Sequence, residues 1–378
     1  MTGLNGFLNN GIFHIGDTAG RFYLGNRKGQ SFALRLAMSL RKSAKVRAKH
    51  EKLGVHIPPF LIASIAASCN LRCSGCYARA NGGCGDGQAD KQLGVDDWRR
   101  IFQQASDAGV SFILLAGGEP LTRREIIELA TRFPAIVFPV FTNGTLIDEA
   151  YVSLFDKHRH IIPVLSIEGD AAQTDARRGA GISDRIARTA GRFKERGILF
   201  GTSITVTSKN YRDVTHSDFA ARLYENGCGL AFYVEYVPVE EHTEHLTLSG
   251  AELCALSERI EQLRTDNKGR GMSIMSFPGD EDRMGGCLAA GRGFFHINAV
   301  GAAEPCPFSP YSEINLREQS LMSVLQSEFF KKVRTISAAD AINRKGGCTL
   351  FRLKDEVSQT LQAAPDFASA AIKEKTKE

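Results

Sequence analysis

The chain has 378 residues, 43% of them hydrophobic and 24% charged, with a formal charge of +5. That is the balance of a globular protein with room for one large core, or one core plus a smaller module. No apolar run reaches the roughly 18 residues of a membrane span, and the opening "MTGLNGFLNNGIFHIG" lacks the basic start and continuous apolar stretch of a secretory signal. The expected compartment is the cytoplasm, where thiols stay reduced and clustered cysteines serve metals or catalysis rather than disulfides.

Residues 1–58 form an N-terminal extension in which the positive charge is concentrated. Between Arg35 and Lys52 seven Lys or Arg face one acid, Glu51, an excess of +6 that leaves the remainder near −1. Ala33, Leu36, Leu40 and Ala44 recur there at helical spacing among the cations, which predicts a basic amphipathic helix. Two uses stay open: packing on the main domain with a solvated basic face, or recruitment of an acidic partner, leader peptide or anionic surface by Arg41, Lys42, Lys45 and Arg47. No signal points clearly to nucleic acid.

From Pro59 the chain alternates short β-branched or aromatic runs with polar stretches of helical period. "FLIASIA" precedes "DDWRRIFQQASDAG", "SFILLAG" precedes "RREIIELATRF", and the pattern repeats to make six strand-then-helix units over residues 59–270. Such a series predicts an α/β fold with a parallel sheet and right-handed crossovers, an even spacing that suits a partial (β/α)6 TIM-type barrel. A doubly wound open sheet is the competing architecture. In both, ligand-binding residues follow the C-terminal ends of the strands.

The loop after the first strand carries Cys69, Cys73 and Cys76 in C-x3-C-x2-C spacing. Structural zinc takes four protein ligands, often from two C-x2-C knuckles, and no second knuckle is near. A [4Fe-4S] cluster held by three thiolates keeps one iron without a protein ligand.

With this motif the sequence resembles the radical SAM superfamily from about Pro59 to Leu350. The resemblance implies a [4Fe-4S] cluster on Cys69, Cys73 and Cys76 whose open iron binds S-adenosylmethionine. Reductive cleavage of that cofactor, with electrons from a flavodoxin or ferredoxin, would yield a 5′-deoxyadenosyl radical that abstracts hydrogen from a substrate. It also implies cofactor contacts: Gly117, Gly118, Glu119 and Pro120 of "GGEP" after the second strand, Asn143 after the third, and Ser166 and Glu168 after the fourth. Arg178, or its neighbour Arg177, would meet the cofactor's carboxylate, unless the two form a solvated charge pair. Ser203 on the fifth strand and Val237 beside the adenine complete the set. Many relatives carry Asp where this chain has Glu168. No catalytic acid or base is identifiable.

Residues 271–356 change texture to strand-turn-strand, with Cys287, Gly301 and Cys306 in C-x13-G-x4-C spacing and Cys348 later. This resembles the twitch and SPASM extensions, small modules that bind auxiliary iron-sulfur clusters; a loose zinc ribbon or incidental thiols is the plain alternative. Three cysteines are too few for a two-cluster module, and Ser309 stands where a C-x2-C pair would have its second thiol. One auxiliary cluster, [4Fe-4S] in type, is therefore expected on Cys287, Cys306 and Cys348, with Cys84 the candidate fourth ligand. Cys228 and Cys254 are expected to be core thiols and His296 a hydrogen-bonded core histidine. Residues 357–378 form a C-terminal tail.

The function implied is a peptide maturase that crosslinks, forms thioethers or epimerises. The alternatives are an enzyme acting on a small molecule or cofactor precursor and, more remotely, an iron-sulfur electron carrier without catalysis.

Overall fold

The structure, a computed structural model, describes residues 16–23, 27–85, 89–268, 271–341 and 346–362. The opening sequence and the tail beyond residue 362 lie outside the described residues. Ten strands form one sheet: β1 (Phe60–Ala66), β2 (Phe112–Gly117), β3 (Phe138–Thr142), β4 (Ile161–Ile167), β5 (Phe200–Val206), β6 (Cys228–Glu235), β7 (Ser273–Phe277), β8 (His296–Ile297), β9 (Ala302–Glu304) and β10 (Ile314–Asn315). Their spatial order is β10-β9-β8-β1-β2-β3-β4-β5-β6-β7. From β1 to β7 each strand is parallel to its sequence neighbour. A doubly wound sheet reverses direction at a switch point; this one never does across those seven strands. Its crossovers therefore all fall on one side and the sheet wraps into an open barrel. β7 adds one parallel strand beyond the six units expected from the sequence.

Helices α1 (Arg27–Lys52), α2 (Tyr77–Ala80), α3 (Val95–Ala108), α4 (Arg124–Ala130), α5 (Glu149–Lys157), α6 (Ala171–Arg178), α7 (Ile182–Glu195), α8 (Tyr211–Val214), α9 (Ser217–Glu225) and α10 (Gly250–Asp266) accompany the barrel strands. The outer strand faces supply Leu61, Ala63, Leu115, Val140, Leu165 and Ala231 to a large apolar cluster that includes Trp98, Phe102, Phe155 and Phe193 of the helices. Period-2 alternation sends the other residues inward. Register groups Ile62 with Leu114 and His296, and Ser166 with Ser203, Phe232 and Met275, on that inner face.

One end of the inner face is closed by a second apolar cluster, in which Tyr23, Phe32, Leu36 and Leu40 of the N-terminal helices meet Phe112, Ile162, Leu199 and Leu230. Higher up, Ile62, Leu114, Phe141, Ser166, Ser203, Thr205, Phe232, Met275 and Phe277 are only half-buried. The lumen thus opens toward the C-terminal strand ends.

The expected amphipathic helix is α1, and its buried face holds one surprise. Arg47 is 7% exposed and donates to Gly109 O at 2.5 Å and Ser111 Oγ at 2.8 Å, while burial lowers its pKa to about 10. It belongs to the packing face, not to the basic surface assigned to it from sequence; Arg41, Lys42 and Lys45 are exposed. Among the described residues no helix is long and apolar enough to cross a membrane.

Candidate active site at the strand ends

The chain leaves β1 through a loop held by backbone and guanidinium contacts. Arg79 donates to Leu71 O at 2.9 Å, and Arg177 donates through Nε to Ser74 O at 3.0 Å. Gly75 takes φ +66° and its N–H donates to Glu240 Oε2 at 2.8 Å. A Cβ there would stand 2.4 Å from Tyr236 Oη, so only glycine lets the loop turn against that ring.

Along this loop the three thiols gather. Burial first, and then the nearby charges of Glu119, Cys84 and Cys73, push Cys69 up to about 11. Burial also raises Cys73, opposed by Arg178 and Arg177 and reinforced by Cys76 and Glu168. Cys69 and Cys73 therefore both feel their neighbours. Soft sulfur donors crowded beside two guanidinium groups fit a metal-sulfur cluster, which binds them as thiolates. Among the described residues no three His, Cys, Asp or Glu converge closely enough to hold a single ion. The ligands of a cubane bind separate irons and stand farther apart than those of a single ion.

The end of β2 presses directly on this loop. Gly118 N–H donates to Ala66 O at 2.7 Å and Glu119 N–H to Ser68 O at 2.8 Å. A Cβ on Gly118 would fall 2.0 Å from Ser68 O and 2.9 Å from Cys84 Sγ. Glu119 is 1% exposed, its Oε1 accepting from Thr142 Oγ1 at 2.6 Å and Leu121 N–H at 3.0 Å, its Oε2 from Asn143 N–H at 2.8 Å. Its carboxylate is spent on clamping β2 to β3. Asn143 in turn bonds Asn70 Oδ1 at 2.9 Å, beside Cys69.

Across the barrel mouth Glu168 is 3% exposed. Its Oε1 accepts from Arg177 at 2.7 Å and from Arg178 at 2.6 Å. Its Oε2 is buried without a partner, a vacancy for a donor of the kind a cofactor hydroxyl or ammonium offers. Arg177 also donates to Thr205 Oγ1 at 2.7 Å, and Asn210 Nδ2 to Glu168 O at 2.7 Å. The two arginines are therefore not a solvated pair. Arg177 links the fourth strand to the thiol loop, a role hidden in sequence because Arg177 and Arg178 are adjacent and equivalent there. Ser166 and Ser203 are register partners on the inner face. Val237 lies past β6 and is 5% exposed, while its neighbour Tyr236, not singled out from sequence, packs on Gly75 and has a buried Oη without a partner.

The second set of thiols comes together from remote positions. Cys306 is 3% exposed and Cys287 6%; burial, with Cys348 and Cys287 close by, drives the Cys306 thiol far above its usual range, and burial pushes Cys348 up to about 12. The hairpin of β8 and β9 sets this up. Gly301, at φ +94°, closes the turn on Asn298 O at 3.0 Å. His296 is bonded to Ser64 Oγ at 2.7 Å and Glu304 Oε2 at 2.6 Å, the hydrogen-bonded histidine expected.

Cys84 packs against Gly118 and lies within electrostatic reach of Cys69, while Tyr77 lies near Cys84, Cys76 and Cys306 alike. One expectation needs correction. Cys254, on α10, is exposed and no core thiol, whereas Cys228 is buried and bonds Leu230 O at 3.1 Å.

Residues 64–219 match the Radical SAM superfamily. The AdoMet-dependent heme synthase of Methanosarcina barkeri is 27% identical over 326 residues, covering 78% of this chain and 89% of the relative. The PqqA peptide cyclase of Rhizobium meliloti is 26% identical over 286 residues, covering 71% of this chain and 74% of the cyclase. The crystal structure of Streptococcus suis SuiB bound to precursor peptide SuiA shares the fold, with a TM-score of 0.64 at 24% identity over 82% of this chain and 76% of that one. A bare electron carrier is set aside by these relatives, which are enzymes: the chain carries a radical SAM domain over residues 64–219 and is an enzyme that works with a [4Fe-4S] cluster and S-adenosylmethionine.

Proposed function

We propose that the protein is a peptide maturase that crosslinks, forms a thioether in, or epimerises a peptide substrate. In this assignment residues 59–270 are the catalytic barrel, and Cys69, Cys73 and Cys76 hold the cluster that binds S-adenosylmethionine. Cys287, Cys306 and Cys348 hold one auxiliary cluster in the module of residues 271–356, and a small redox protein such as a flavodoxin or ferredoxin supplies electrons. When bound, the cofactor pair supplies a carbon radical that abstracts hydrogen. The chain's own residues orient and shield. Gly117 and Gly118 let backbone approach the cofactor closely, Asn143, Ser166 and Ser203 offer hydrogen bonds, and Glu168 with its two arginines meets the polar end of the amino acid.

The observation that carries the peptide assignment is the chemistry of the lumen. The inward-facing strand residues Ile62, Leu114, Phe141, Ser166, Ser203, Thr205, Phe232, Met275 and Phe277 are apolar or hydroxylated, and none is Lys or Arg. Heme, named in the M. barkeri relative, carries propionate carboxylates that call for such cations. The substantial coverage of that relative supports a second assignment, a tetrapyrrole or other cofactor precursor.

The test is anaerobic turnover with S-adenosylmethionine, reductant and deuterated substrates. A peptide should pass deuterium into 5′-deoxyadenosine. Transfer from a porphyrin precursor, with none from any peptide, would overturn the peptide assignment while leaving the radical chemistry intact.

A further inference from the structure

Ser309 follows Cys306 by three residues, across Pro307 and Phe308. Its N–H donates to Cys306 O at 2.9 Å, and the two residues form an antiparallel bridge pair. Residues opposed across such a pair carry their side chains on one face, with Cβ atoms about 4.5–5.5 Å apart. Cys306 on that face is close to Cys287 and Cys348. Ser309 is 0% exposed and its Oγ has no hydrogen-bond partner. An unpaired buried hydroxyl is costly, about 1–3 kcal/mol, and in native proteins it marks a partner such as an ion.

Neither competing side chain has this character. Cys84 packs against Gly118 and is among the charges that raise Cys69. Glu281 is 2% exposed and near Cys306 and Cys348, but its Oε1 already accepts the Leu288 N–H at 2.9 Å.

We propose that Ser309 Oγ is the fourth protein ligand of the auxiliary cluster, making the set Cys287, Cys306, Cys348 and Ser309. This rests on the auxiliary cluster proposed above. As the iron–oxygen bond forms, the hydroxyl releases its proton to solvent and binds as an alkoxide, with no change in oxidation state. A fourth ligand closes the coordination sphere. The auxiliary cluster then serves electron transfer and does not bind substrate through an open iron, and the hard oxygen favours its oxidised form relative to an all-thiolate site.

The test uses the full chain with Cys69, Cys73 and Cys76 replaced by Ala, reconstituted with enriched iron so that only the auxiliary cluster contributes. Mössbauer spectra should show one of the four iron sites distinct from the rest in this parent, and Ser309→Cys should make it equivalent to the others. Ser309→Ala should free that iron, which is then lost on brief oxidation to give a three-iron electron paramagnetic resonance signal. Glu281→Gln should leave the spectra unchanged. Identical spectra in the parent, Ser309→Cys and Ser309→Ala would overturn the assignment alone, as would a change confined to Glu281→Gln. A parent that binds no cluster would overturn the auxiliary site and Ser309's role together.

Discussion

Gly118 is held by backbone, and backbone cannot step aside. A methyl there would meet Ser68 O at 2.0 Å, so β2 and the thiol loop would have to separate. Gly118→Ala should cost roughly 2 kcal/mol or more, as overpacking does. It should also lower the iron retained at the first site, measured by denaturant unfolding and iron content. His160 has a different sensitivity. It is 6% exposed beside Ala130 O, and burial lowers its pKa from 6.5 to about 4. The folded protein therefore binds this proton less readily than the unfolded chain. Its contribution is fully present above pH 6.5 and is lost as pH falls toward 4, amounting to roughly 2 kcal/mol by pH 5. Unfolding midpoints of the parent and His160→Gln at pH 7 and pH 5 check this; the gap between them should narrow at the lower pH.

At the scale of elements, α1 divides its cations between two jobs. Arg41, Lys42 and Lys45 are exposed, so changing all three to Gln should move stability by less than about 0.5 kcal/mol per site. Arg47→Ala leaves Gly109 O and Ser111 Oγ without their donor, and should cost about 1–3 kcal/mol. Parallel thermal melts distinguish the two variants. If the exposed cations recruit an acidic partner, the triple change should weaken turnover of the true substrate most at low salt. Helical spacing in the sequence identified α1 but could not orient each cation, because Arg47 lies one turn beyond the last residue of the apolar stripe at Ala44 and is buried only by the edge of another element.

For the whole molecule, the two thiol groups should load separately. Reconstituted protein should hold about eight irons, and the variant lacking Cys69, Cys73 and Cys76 about four; loss of all iron in that variant would overturn the auxiliary cluster. The strands, their parallel order and the C-x3-C-x2-C loop were legible in sequence because they are local: alternation, helical period and short spacing act within a dozen residues. Gly75, Gly118 and Gly301 could be read as turns, but not what they press against. The partnership of Glu168 with both Arg177 and Arg178, the clamp made by Glu119, and the meeting of Cys306 with Cys348 and Cys287 bring together groups up to 61 positions apart. Only the path of the sheet through space decides those. Local spacing sets which atoms are available, while burial and chain reversal set which of them share a low-dielectric site, where an unpaired oxygen or thiol becomes costly enough to demand a partner.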